Sequence, residues 1–133
     1  LESKGGSAAG DKIVYDVATG LATLTGQDLR MTMPGRTITA RERFEYAVPE
    51  GRLSAFGSVL VVQGDEKMQA DSAAAFFTED PATRRRVLTR LEAQGNVIIT
   101  TPREVLRGDR GVWRQETNIA ELIGSVKVTQ GAN

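Results

Sequence analysis

Four times along this chain a strand-like stretch changes character at a glycine. The pieces read "LATLTGQDLRM", "RLSAFGSVLVV", "RLEAQGNVIIT" and "IAELIGSVKVT", with glycines at Gly26, Gly57, Gly95 and Gly124, spaced by 31, 38 and 29 residues. Small or apolar side chains stand two or four positions before each glycine: Ala22 and Leu24, Leu53 and Ala55, Leu91 and Ala93, Ala120 and Leu122. Val59 and Val61, Val97 and Ile99, and Val126 and Val128 follow at two and four positions after it. That period of two is a strand's, with one face buried. Glycine permits the backbone angles of a bend, and its missing side chain lets another strand pass close. In the first copy the apolar residues Leu29, Met31 and Met33 come one position late, which reads as an extra residue in a bulge.

A weaker motif precedes the glycine strands: "ITARERFEY", "MQADSAAAFF" and "VLRGDRGVW", with "AAGDKIVY" as a first copy. A small residue (Ala40, Ala70, Gly108 or Gly10) is followed four positions on by Phe44, Ala74, Val112 or Val14. Polar turns join the two motifs: "DVATG", "AVPEGR", "TEDPATRRR" and "RQETN". Each carries Pro, Gly, Asp or Asn, which supply turn angles. The unit is therefore two long antiparallel strands, repeated about every 30 residues. Stacked copies bury a face that no single copy can bury alone. The expected fold is all-β, a twisted jellyroll or solenoid-like stack of antiparallel strands whose bends make two facing sheets.

The third unit contains a conflict. "EDPATRRRVLTRLEAQ" also satisfies a helix, with Asp80 as N-cap and Pro81 at the first helical position. The repeat register instead requires a strand over 87–94, with Arg84, Arg85 and Arg86 on a lengthened loop. Three other copies agree with the repeat, so the strand is preferred.

Composition removes several function classes. The 133 residues carry 17 acids and 17 bases, so nothing drives nucleic-acid binding electrostatically. There is no histidine and no cysteine, which excludes disulfides, thiolate chemistry and the usual general base and metal ligands. No cofactor or metal is expected. No run of 18 apolar residues exists to span a membrane as a helix. Residues 1–8, polar and small, are expected to be a flexible segment ahead of one domain over 9–133.

The quoted repeat, the "QG" after it at Gln63–Gly64 and Gln130–Gly131, and the openings at Asp71 and Asp109 resemble the OstA-like LptA family of periplasmic lipopolysaccharide transport proteins. The resemblance covers most of 9–133 and rests on four ordered copies, since no single word in it is specific. It implies a β-jellyroll open at both ends, with an apolar interior holding lipid A acyl chains. It further implies periplasmic location after removal of a secretory signal. The implied partners are LptC-like and LptD-like proteins and further copies bound head to tail. The absence of an N-terminal anchor favours the LptA branch over LptC. The stop at "VTQGAN", where family members continue with another strand, would alter the C-terminal edge.

The residues expected to face inward are Leu24, Ile38, Phe44, Leu53, Val59, Val61, Met68, Phe76, Leu91, Val97, Ile99, Leu106, Val112, Leu122, Val126 and Val128. If the sheets pack closely, these form only a core. If the sheets splay, the same residues line a lipid groove; pattern alone favours the core and the resemblance favours the groove. The pairable edges are expected near Lys12–Asp16 and Val126–Gln130. Lys127 is a candidate edge guard. Trp113 and Tyr15 occupy equivalent places and read as outward or rim aromatics. Arg84–Arg86, Arg103 and Arg107 are candidate contacts for anionic head groups, though a charge run is more often simply solvated. Two other classes stay open: a structural or adaptor β-module of an envelope complex, and a carbohydrate-acting enzyme using Asp71 and Asp109. The enzyme is disfavoured because one catalytic centre does not recur on every rung.

Overall fold

The computed structural model describes residues 2–3 and 6–130, and side chains from 7 to 130. The described residues form strands β1 (Glu2–Ser3), β2 (Gly6–Ala9), β3 (Lys12–Asp16), β4 (Leu21–Thr25), β5 (Leu29–Met33), β6 (Arg36–Ala40) and β7 (Arg43–Ala47). Four long strands follow: β8 (Arg52–Gln63), β9 (Glu66–Glu79), β10 (Arg86–Thr100) and β11 (Glu104–Arg114). Two short ones, β12 (Ile119–Ile123) and β13 (Lys127–Gln130), end the order. No helix is long and apolar enough to cross a membrane. The strand reading of the third unit holds: β10 begins at Arg86 and a turn occupies 80–85. Of the segment expected to be flexible, residues 1, 4 and 5 lie outside the described residues. Ser7 and Ala8 pair with Thr32 and Met31 in β5.

All pairings are antiparallel, and the bends fold the sheet into two facing layers. The first layer runs β3, β4, β7, then the 52–56, 72–79, 86–94 and 110–114 portions of β8 to β11, then β12. The second runs β1, β2, β5, β6, the 59–63, 66–70, 97–100 and 104–108 portions of the same long strands, then β13. Leu29, Ile38, Val59 and Val61 of the second layer pack against Phe44, Leu53, Ala55 and Ala75 of the first. The sheet does not close: β3 and β12 border one layer, and β1 and β13 the other, each paired on one side only among the described residues.

The bends show why the repeat needs glycine. Gly57–Ser58 and Gly95–Asn96 drop out of register in β8 and β10. Both residues of each pair have positive φ, 89° and 44° in one and 83° and 50° in the other; Gly124–Ser125 repeats this at 83° and 50°. That left-handed region strains any residue with a Cβ, least so asparagine among the non-glycines. A carboxylate fills the space beside three of the four glycines. A Cβ at Gly95 or Gly124 would run into the side chain of Asp71 or Asp109, and one at Gly26 into Asp11. Asp71 Oδ2 accepts a hydrogen bond from Asn96 Nδ2 at 3.0 Å, and Asp11 Oδ2 accepts from the Gln27 amide at 3.1 Å. The recurring aspartates are thus staples of the bend.

The turns follow ordinary side-chain chemistry. Asp16 Oδ1 accepts from the amides of Ala18 and Thr19 at 3.0 and 3.2 Å, and Gly20 closes the turn at φ 75°.

The bends also change which residues face inward. In β8 and β10 two residues are inserted, so the alternation keeps its phase from Ala55 to Val59 and from Ala93 to Val97. The strand opposite inserts only one residue at the Gly57 bend, since Phe56 pairs with Ser72 and Val59 with Ala70. Counting by twos through Asp71 or Asp109 therefore lands on the wrong face.

Candidate functional site

The space between the layers is the candidate site, and its walls come from in-register rows. One row runs Tyr15, Ala22, Tyr46, Leu53, Ala75, Leu91, Trp113 and Ala120 in the first layer. The opposing row runs Ala8, Met31, Ile38, Val61, Met68, Ile99, Leu106 and Val128 in the second. The middle of the interior is shut. Leu29, Phe44, Val59 and Val97 are at most 2% exposed. Toward the C-terminal strands the packing thins: Met68, Ile99 and Leu122 are only partly buried around Ala70, Ala93 and Val97. The rows then run out into solvent. Ile13 and Tyr15 on β3 and Val128 on β13 are 50–55% exposed. An apolar wall that continues to an unpaired, exposed edge is what an interface or a through-going groove requires.

Most of the expected inward set lies here. Ile38, Phe44, Leu53, Val59, Val61 and Val97 are buried in the two clusters, and Leu24, Met68, Leu91, Ile99 and Leu122 pack against them. Leu106 is in register with Ile99 and partly buried. Four residues depart from expectation. Phe76 faces the other way, beneath the Arg90 guanidinium at 4.1 Å from its ring centroid, while Phe77 packs on the core. Val112 is buried, but in register with Glu92 and Glu121 on the outer face. Both errors are the one-residue phase change at Asp71 and Asp109. Val126 and Val128 are more than half exposed, because no further strand packs on them among the described residues.

Of the two expectations for Trp113, outward or rim, the outward one is corrected: the residue shares the inner row with Leu91, which packs on the core. Arg36 lies on the inner face too, two residues before the buried Ile38. Its guanidinium reaches across the interior to 5.3 Å from the Trp113 ring centroid, and its Nε donates to Gln63 Oε1 at 3.1 Å. Both residues stand at the ends of their strand segments farthest from the bends, so this contact bridges the mouth between the layers. Nothing in the local pattern marked it, since "PGRTIT" reads as a turn and a strand start. The other expected basic contacts lie elsewhere: Arg84 and Arg85 on the 80–85 turn, Arg103 on the 101–103 turn, and Arg107 exposed on β11. Arg86 Nη2 donates to the Val48 carbonyl at 3.1 Å.

A trough of about 600 Å³ lies on the opposite side of the second layer, floored by Thr39, Leu60, Gln69 and Ile98. It carries polar and apolar groups in mixture and lies outside the apolar rows. Asp71 and Asp109 stand 38 residues apart at separate bends, and no group of three or more metal-ligating side chains occurs among the described residues.

The family model described as "LptA/(LptD N-terminal domain) LPS transport protein" matches residues 37–133, most of the chain. This chain belongs to that family. Comparison with curated proteins by sequence gave no match. Among solved structures, the crystal structure of LptH from Pseudomonas aeruginosa superposes with a TM-score of 0.73 at 12% identity, over 96% of this chain and 94% of that one. LptH is described as the LptA-homologous periplasmic component of the conserved lipopolysaccharide transport device. At that identity the likeness is one of fold. At 96% coverage it nevertheless takes in most of the 36 residues ahead of the family match. The expected all-β, open, LptA-like architecture is therefore the observed one.

Proposed function

We propose that the chain is a periplasmic lipopolysaccharide carrier. It would hold lipid A acyl chains between its two layers and pass them along a head-to-tail array. LptC-like and LptD-like proteins at the two membranes are the partners this reading implies. The observation that carries the proposal is the pair of inner rows that thin toward β13 and end at exposed, half-paired strands. Transfer of ten chain methylenes into such walls is worth roughly 8 kcal/mol before ordering costs. No nucleophile or metal is needed for that.

Assembly uses the same edges. The two termini of the sheet present different surfaces, β3 at one end and β12 with β13 at the other. A contact between them is heterologous and leaves a free edge of each kind, so it propagates. Strand addition would supply the backbone bonds and join one apolar interior to the next.

Site-specific photocrosslinking to lipopolysaccharide tests the carriage. Ile99 and Leu106 face the interior, whereas Leu60 and Ile98 face the outer trough. Lipid adducts at the first pair and none at the second are expected. Equal labelling of both pairs, or none at either, would leave a packed β-module with an adaptor role.

A further inference from the structure

An arginine on the apolar face of a sheet calls for a reason, because charged side chains are seldom turned inward without a partner. Among the described residues Arg36 makes no ion pair. Its contacts are the Gln63 amide oxygen at 3.1 Å and the Trp113 ring at 5.3 Å. The ring is in turn held at its edge, with Nε1 donating to Asn118 Oδ1 at 3.1 Å. Arg36 and Trp113 come from β6 and β11, which are not neighbours in the sheet, so only the folding-over of the layers brings them together. They sit at the mouth, where any amphiphile whose chains lie between the layers must place its polar end.

We propose that Arg36, flanked by Gln63 and Trp113, is the recognition point for a phosphorylated sugar head group at the mouth of the groove. The proposal rests on the carrier reading above. A guanidinium offers a planar fork of donors that fits a phosphate in bidentate fashion, with charge assistance. Its contact with an indole face is the weaker of the two and yields to such an anion. In the empty protein the ring holds the guanidinium over the opening. When the anion arrives, Arg36 turns to it, and the Trp113 face becomes free to cover a sugar ring. The same exchange releases the one cation–π bridge seen between the layers at the mouth, among the described residues. Head-group recognition and widening of the groove would then be one event.

Trp113 is the single tryptophan of the chain, so its emission reports on this contact without labelling. The probes are a tetra-acylated glucosamine disaccharide carrying phosphate, the same lipid without phosphate, and inorganic phosphate alone. Entry of either lipid is read independently, by displacement of a fluorescent fatty acid from the groove. The wild type should favour the phosphorylated lipid by about tenfold, one charge-assisted contact. Its Trp113 emission should shift with that lipid, as the guanidinium leaves the ring, and not with the unphosphorylated one. Arg36→Gln should bind both lipids alike, and Arg36→Lys should recover part of the preference, since it keeps the charge but not the fork. Merely loosened packing would weaken both lipids together and leave their ratio unchanged. Equal affinities in the wild type, or a preference that survives in Arg36→Gln, would overturn the proposal while leaving the carrier reading intact. Failure of both lipids to enter would overturn both. An emission change with inorganic phosphate, matching that of the phosphorylated lipid at equal concentration, would support the anion site and assign it to free phosphate.

Discussion

The bend glycines allow a matched test of how the fold is built. Gly95 has φ 83°, and a Cβ there meets the Asp71 side chain; Gly64 has φ 58° and a Cβ there meets nothing within 4 Å. Alanine at either site takes on the left-handed penalty, about 1–2 kcal/mol, offset by about 0.5 kcal/mol of reduced unfolded-state entropy. At Gly64 that leaves a loss of about 1 kcal/mol. At Gly95 the methyl must also displace the Asp71 carboxylate, which ends its bond from Asn96 Nδ2. One such bond lost, with some strain, adds about 1–2 kcal/mol. Gly95→Ala should therefore unfold at lower urea than Gly64→Ala, with unchanged slope, by a total of about 2–3 kcal/mol against about 1. Circular dichroism at the β minimum is the assay. Adding Asp71→Ala to Gly95→Ala should restore up to about 1 kcal/mol, because the carboxylate is gone and only the Cβ of residue 71, 2.9 Å from the new methyl, still crowds it, whereas adding it to Gly64→Ala should only destabilise further. Equal losses at the two glycines, or no coupling between Gly95 and Asp71, would refute the claim that the aspartate and the glycine form one staple.

Two further outcomes follow from the placement of side chains. Phe77→Ala removes a side chain from the main core and should cost about 3 kcal/mol, whereas Phe76→Ala, on the outer face under Arg90, should cost about 1 kcal/mol; reversed values in urea titration would put the phase change of β9 in the wrong place. Val14→Asp on β3 and Val128→Asp on β13 charge exposed apolar positions at opposite ends of the sheet, so under the head-to-tail proposal each should lower the mean mass seen by light scattering with stability changed by at most about 0.5 kcal/mol. A mixture of the two variants, each keeping one intact end, should stop at heterodimers, and longer species would contradict the proposed head-to-tail contact between the β3 end and the β12–β13 end.

Much of this architecture was legible because it repeats. A bend needs glycine at one place and a turn needs Asp, Asn, Gly or Pro at another, and four copies made the register readable even through the helix-like "EDPATRRRVLTRLEAQ". The inserted residue before Leu29 was visible for the same reason: three intact copies exposed the late frame, and Leu29 is indeed buried. Inward residues on the second and third glycine strands, β8 and β10, were read correctly because their two-residue insertion preserves the alternation. Phe76 and Val112 were misread because a single residue, Asp71 or Asp109, shifts the partner strand by one. A lone insertion leaves no mark in a pattern of period two until the pairing is known.

What the chain's own order determined is local: which segments extend, where they bend and turn, and that one face is apolar. These follow from backbone angles and side-chain alternation, which involve neighbours a few residues apart. What only the tertiary structure decided is how the layers meet. Whether Val61 is sealed and Ile99 only half covered depends on strands far apart in the chain. So does the meeting of Arg36 with Trp113, 77 residues later, across the mouth. Pairing and layer separation are set by the summed packing of the whole sheet, and no window of the sequence contains that sum.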